Sequence, residues 1–179
     1  YLLHCFGTAG YHPNESRHTS SYFLPVQGIA LDAGTGFFRT FPLIETTELH
    51  VLLSHAHLDH IIGLTFLWNA YRNTRLKQVY VHAEQSKIDA IQTHIFSDEI
   101  FPALPNICWN AIGPDQLFSV NQTEVKTFRL EHPGGSLGYV LRNEDHTFAY
   151  VTDTTTSVDA DYWPLVRSAD LLLHECNFR

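Results

Sequence analysis

The sequence predicts an α+β fold in which two β-sheets pack together and are covered outside by helices. Three observations lead there. Residues 49–96 alternate apolar strand-like runs with helix-spaced segments, a βαβα rhythm. From 107 to 151 the pattern changes to short strands separated by Gly/Pro turns, as in hairpins. The chain has 179 residues, 44% of them hydrophobic and no low-complexity tract, which suits a single domain over 1–179 with a sizeable core.

In chain order, Leu2 to Phe6, Tyr22 to Val26 and Gly28 to Leu31 read as strands. The first and third are followed by the glycine-bearing loops Gly7-Thr8-Ala9-Gly10 and Asp32-Ala33-Gly34-Thr35-Gly36, which could floor a pocket and offer N–H groups to an anion. Leu49 to Leu53 reads as a buried strand and Ile61 to Asn69 as a helix with Ile61, Ile62, Leu64, Phe66, Leu67 and Trp68 as core candidates. Gln78 to His82 is a strand, and Glu84 to Phe96 is helical through Ile88, Ile91 and Ile95. Glu124 to Leu130, Ser136 to Leu141 and Thr147 to Val151 are further strands. A short helix from Tyr162 to Ser168 precedes a last strand, Asp170 to Leu173.

Between the buried strand and the helix stands Ser54-His55-Ala56-His57-Leu58-Asp59-His60, the pattern H-x-H-x-D-H. In extended backbone alternate side chains share a side, so His55, His57 and Asp59 aim at one volume and His60 joins from the first helical turn. Imidazole nitrogens and carboxylate oxygens are ligands of first-row transition metals. Four within six residues exceed what one mononuclear site draws from one loop, so two metals are expected. A third imidazole and a bridging carboxylate would complete such a pair. His132, after a strand and before Pro133-Gly134-Gly135, and Asp153, after Phe148 to Val151, are the candidates. His4, His50, His82, His94 and His146 lack ligand-type neighbours and receive no role, while His12 and His18 fall in the polar loop 11–20.

Composition narrows the function. Nineteen acids against eleven bases give a formal charge of −8, with three lysines, which disfavours a long nucleic-acid footprint. Cys5, Cys108 and Cys176 form no C-x-x-C pair and no disulfide framework, so a reducing cytoplasm is expected. No apolar run is long enough to cross a bilayer, and no membrane partner is expected. There is no G-x-S-x-G nucleophile elbow. Oligomeric state is not legible, although a homodimer is compatible.

The segment His55 to His60, with His132, the triplet Thr152-Asp153-Thr154 and the turn Leu31-Asp32-Ala33-Gly34, resembles the metallo-β-lactamase superfamily across essentially the whole chain. Gly7-Thr8-Ala9-Gly10, Pro13 through Arg17 with Thr19-Ser20-Ser21, and Leu173-His174-Glu175-Cys176-Asn177-Phe178 are similar to its ribonuclease Z-like branch, which includes a small phosphodiesterase of the carbon–phosphorus lyase pathway. The resemblance implies an αββα four-layer sandwich with the site at one edge of the two sheets. It also implies that His55, His57 and His132 hold one metal, Asp59 and His60 the other, and Asp153 bridges. Asp59 and Glu175 are then the catalytic candidates, Glu175 orienting a histidine that assists the leaving group. That histidine and the last ligand of the second metal are expected beyond Arg179, so the chain reads as lacking the C-terminal end of its domain.

The expected cofactors are two divalent ions, zinc first, with manganese and iron also suited to these ligands. The expected reaction is hydrolysis of a small phosphodiester or cyclic nucleotide by water activated through coordination. The alternatives are a ribonuclease Z-like endonuclease, a lactone or thioester hydrolase, and a metal-binding module without catalysis. Against the endonuclease, Glu15 and His18 stand where that branch carries lysine and asparagine. Only twenty residues separate His132 from Asp153, where ribonuclease Z has a long tRNA-gripping arm.

Overall fold

A computed structural model describes residues 2–72 and 75–176, so Asn177 and Phe178 of the last motif lie outside the described residues. The chain forms two compact units, 1–112 and 113–179.

The first unit is built on a seven-stranded mixed sheet in the order β2-β1-β3-β4-β5-β6-β7. Its strands are β1 (His4–Ala9), β2 (His18–Thr19), β3 (Ser21–Leu24), β4 (Ile29–Leu31), β5 (Glu48–Leu52), β6 (Gln78–Ala83) and β7 (Ile107–Ala111). Strands β4 to β7 run parallel, as the βαβα rhythm requires. Val51, Val79 and Val81 from the strands meet Phe37, Leu64, Leu67, Ile88 and Ile91 from the helical segments in one apolar core. Each such fully buried side chain contributes roughly 1.5–3 kcal/mol relative to exposure.

Three local expectations change here. Gly7, Thr8 and Ala9 continue the first strand instead of forming a loop, and Gly7 and Ala9 pair with His18 and Thr19. A Cβ at Gly7 would lie 1.7 Å from the Thr19 carbonyl oxygen, so this glycine is what lets β2 approach. The helix read over Ile61 to Asn69 is three pieces: α1 (Leu58–Ile61), a 3-10 stretch Ile62–Phe66, and α2 (Leu67–Ala70). The cause is tertiary, since the Gly63 N–H donates to the Ala33 carbonyl and leaves the helical ladder. The segment Glu84 to Phe96 is α3 (Gln85–Ala90) followed by a π-type turn, Ile91–Ile95, closed by the Phe96 N–H on the Ile91 carbonyl.

The second unit carries a five-stranded sheet in the order β12-β11-β10-β9-β8. It comprises β8 (Leu117–Val120), β9 (Thr123–Leu130), β10 (Ser136–Arg142), β11 (Thr147–Val151) and β12 (Leu171–His174), with α4 (Trp163–Val166) before the last strand. Strands β8 to β11 are an antiparallel meander, and β12 joins parallel to β11. Phe128, Leu130, Val140, Ala149 and Val151 pack with Tyr162 and Val166. Gly138 lies opposite Phe128, whose ring would be 2.3 Å from a Cβ there, so the aromatic ring occupies the space a side chain would need.

Candidate metal centre

Chain chemistry explains how the loop after β5 is held. His57 is exposed, with extended backbone at φ −68° and ψ 149°, and α1 begins at Leu58. The His55 and His57 rings lie 4.5 Å apart and those of His55 and His60 4.2 Å apart. His55 and His60 are buried while His57 and Asp59 face outward in part. Extended backbone at His57 and the first turn of α1 thus bring the three imidazoles together, while Asp59, expected in the extended stretch, lies within α1.

A residue without an assigned role in the sequence reading organises them. Asp32 is fully buried with positive φ (56°). It accepts the Ser54 N–H at 2.7 Å, the Ser54 hydroxyl at 2.8 Å and the His60 Nδ1–H at 2.8 Å. Ser54 Oγ in turn lies 3.0 Å from His55 Nδ1. One carboxylate thus directs two imidazoles, fixing Nδ1 as the protonated nitrogen and leaving the Nε2 lone pairs for a metal. The backbone reinforces this, because the Ala33 N–H donates to the His60 carbonyl and the Gly34 N–H to that of Ser20. The available signal was an acid inside an apolar run followed by small residues, Leu31-Asp32-Ala33-Gly34.

Asp59 Oδ2 lies 3.4 Å from His60 Nε2 and accepts the Tyr11 N–H at 2.9 Å. Burial pushes the Asp59 carboxyl up. The hydrogen bond and charge of His60, with backbone N–H groups of Asp59 and Tyr11, outweigh it and hold the group below the usual carboxylate range. Ligands about 2.0–2.2 Å from a common ion stand roughly 3–3.5 Å from each other, so the Asp59–His60 spacing fits a metal. In donor chemistry the loop suits a divalent metal ion.

In the second unit the Gly135 N–H closes on the His132 carbonyl at 2.8 Å, with Pro133 and then Gly134 at φ 81° between them. That is a type II turn, and it sets His132 at the end of β9. Asp153 follows β11 with φ 42°, and its Oδ2 stands 3.8 Å from His132 Nε2. Glu175 Oε1 accepts the Thr154 N–H at 2.6 Å, and the Glu175 N–H donates to the Val151 carbonyl. Glu175 therefore braces the backbone next to Asp153.

Two histidines read as bland form a polar pair of their own. His50 Nδ1 is 3.1 Å from His82 Nε2, both rings are buried, and Tyr80 stacks on His50 at 4.7 Å. Burial, then the charge of His50, lowers His82 to about 4.

Residues 28–179 match the beta-lactamase superfamily domain family. The chain belongs to that family. Among curated relatives of this β-lactamase-superfamily chain, ribonuclease Z from Haloarcula marismortui is 26% identical over 144 residues, covering 78% of the chain and 46% of the relative. Ribonuclease Z from Pyrococcus abyssi is 22% identical over 170 residues, covering 92% and 55%. The chain thus spans about half the length of these relatives. Among solved structures, the metallo-β-lactamase fold protein YhfI from Bacillus subtilis superposes with a TM-score of 0.76 at 22% identity, covering 98% of this chain and 70% of that one. The short form of human tRNase Z gives 0.70 at 20% identity, covering 95% and 76%. The metallo-β-lactamase-like fold expected from the motifs is the fold found.

Proposed function

We propose that residues 1–179 act as one metal-dependent hydrolase domain whose reaction is cleavage of a small phosphodiester. The observation that carries this reading is the buried Asp32–Ser54 pair that engages the Nδ1 atoms of His55 and His60 and leaves their Nε2 atoms as lone-pair donors, that of His60 3.4 Å from Asp59. A buried carboxylate that orients imidazoles is the arrangement expected behind metal ligands. In this reading His55, His57 and His132 would hold one ion, Asp59 and His60 a second, and Asp153 would serve both. Zinc suits the imidazole-rich set, and manganese or iron can replace it.

When bound, the ions supply an activated water and neutralise charge on the phosphoryl oxygens. The chain's own residues supply orientation. Asp32 keeps His60 in the Nδ1–H tautomer. Asp59, held ionised, remains an acceptor at neutral pH. Glu175 fixes the turn that carries Asp153 through its bond to Thr154.

The ribonuclease Z relatives support a phosphodiester as the bond cleaved, since RNA is linked by phosphodiesters. A small substrate is favoured over a large folded RNA by one feature. The interval between His132 and Asp153 is filled by the hairpin of β10 and β11, closed by the Asn143 N–H on the His146 carbonyl. The charge of −8 acts in the same direction. Three free, exposed cysteines suit a cytoplasmic setting.

A panel of bis-p-nitrophenyl phosphate, a nucleoside 2′,3′-cyclic phosphate, a tRNA precursor and a homoserine lactone tests this on the full-length protein. Turnover of the two small phosphodiesters is expected to exceed that of the lactone. Exclusive lactone turnover would overturn the choice of bond, and cleavage confined to the tRNA precursor would restore the endonuclease reading.

A further inference from the structure

The loop between β1 and β2 holds a tyrosine in a conformation that costs free energy. The His12 N–H donates to the Gly10 carbonyl at 2.8 Å across Tyr11, whose φ is 63°. A turn closed over one residue at positive φ is the rare, strained form of the γ-turn, and a bulky residue at its centre is unusual. Strain of this kind persists where the surroundings enforce it, and clusters at functional sites. What enforces it here is Asp59, which accepts the Tyr11 N–H at 2.9 Å.

The side chain gains little packing from this arrangement. Tyr11 is 85% exposed, and its one aromatic neighbour among the described residues is the His12 ring, edge-on at 5.3 Å. His12 is itself steadied, because Nδ1 bonds the Pro13 carbonyl at 2.9 Å. The next turn of the loop is rigid as well, since Asn14 Oδ1 accepts the N–H groups of Ser16 and Arg17. Leu58, between His57 and Asp59, is 61% exposed. An exposed aromatic ring tied by its backbone to a ligand-type carboxylate, with the exposed Leu58 next to that carboxylate in the chain, offers its face to a planar group.

We propose that Tyr11, backed by His12, is the stacking platform for the nucleobase of the substrate, so that the small phosphodiester is a nucleotide. This rests on the phosphodiesterase reading and narrows its substrate class. Every base has a π-face, so the platform selects for a base without selecting which one. Glycine accepts positive φ, so Tyr11→Gly removes the ring while relieving the turn and leaving the fold intact. Tyr11→Phe keeps the ring and serves as the rescue.

The test compares a nucleoside 2′,3′-cyclic phosphate with base-free methyl riboside 2′,3′-cyclic phosphate on the metal-loaded, full-length protein. Adenosine monophosphate and ribose 5-phosphate binding to the metal-free protein, by calorimetry, gives a readout independent of turnover. The wild type is expected to prefer the base-bearing compound by about tenfold, expressed in KM and in Kd. Tyr11→Phe keeps that ratio and Tyr11→Gly brings it near one. An undiminished ratio in Tyr11→Gly, or a ratio lost equally in Tyr11→Phe, would overturn the platform. No turnover of either phosphodiester, with a Tyr11-dependent binding preference intact, would overturn the phosphodiesterase reading and leave the platform standing. Neither turnover nor preference would overturn both.

Discussion

Replacing Asp32 by asparagine keeps the side-chain volume but sets an amide NH2 group against a donor, either the Ser54 N–H or the His60 Nδ1–H. The imidazoles then lose their common direction. Metal affinity is expected to fall about 10–100-fold, the usual size of such an effect behind a metal ligand, as read by competition with a chromophoric chelator. Unchanged affinity would mean that Asp32 is only structural. Gly34 is a second residue on which the centre depends, because a Cβ there would lie 2.4 Å from Thr19 Oγ1 and 2.5 Å from the Asp59 carbonyl oxygen. Gly34→Ala is expected to cost about 1–3 kcal/mol in denaturant unfolding and to weaken metal binding together with stability. His82 gives a prediction in pH. Its folded value of about 4 lies below the ~6.5 of an unfolded histidine, so between these values the unfolded chain binds more protons. The stabilisation is therefore fully present above about pH 6.5 and is lost as pH falls toward 4, by at most about 3 kcal/mol. In His82→Leu the slope of unfolding free energy against pH over that window should flatten, and an unchanged slope would refute the assignment.

At the scale of elements, the parts read correctly from the sequence are those that local chemistry dictates. The Pro133-Gly134 pair wrote its type II turn in advance, since proline sets the first φ and glycine takes the positive one. Gly134→Val is expected to cost about 1–2 kcal/mol in thermal or denaturant unfolding, and a neutral result would show that the turn tolerates another geometry. The strands β5, β6, β9, β10 and β11 were visible as apolar runs bounded by turns. What escaped depended on partners distant in the chain. The helix after the H-x-H-x-D-H loop is broken because Gly63 bonds Ala33, thirty residues away, which no local pattern encodes. The strand over Gly7 to Ala9 looked like a loop because glycines suggest turns, whereas Gly7 is there to admit the backbone of Thr19. The π-type turn over Ile91–Ile95 keeps the apolar spacing of a helix, so periodicity alone could not separate the two.

For the whole molecule, the spacing of His55, His57, Asp59 and His60 made the first-unit donors legible: alternation accounts for His55 and His57, and Asp59 and His60 follow in the first turn of α1. The supports behind them were less so: Ser54 and Asp32 are separated by 22 residues, and their bond exists only because β4 and β5 run side by side. Tyr11 was invisible for the same reason, since its meaning depends on the hydrogen bond to Asp59. The acidic balance of the chain belongs to this scale too, for it argues against polyanionic partners while leaving a small phosphodiester acceptable once metal charge is added locally. The most direct test of the central claim is metal content measured alongside turnover on the full-length protein, wild type and His57→Ala, by elemental mass spectrometry and hydrolysis of bis-p-nitrophenyl phosphate. The wild type is expected to carry a pair of divalent ions and to lose activity on chelation, and His57→Ala to lose both bound metal and turnover. Full activity with full metal content in His57→Ala, or turnover that survives complete removal of metal, would contradict it.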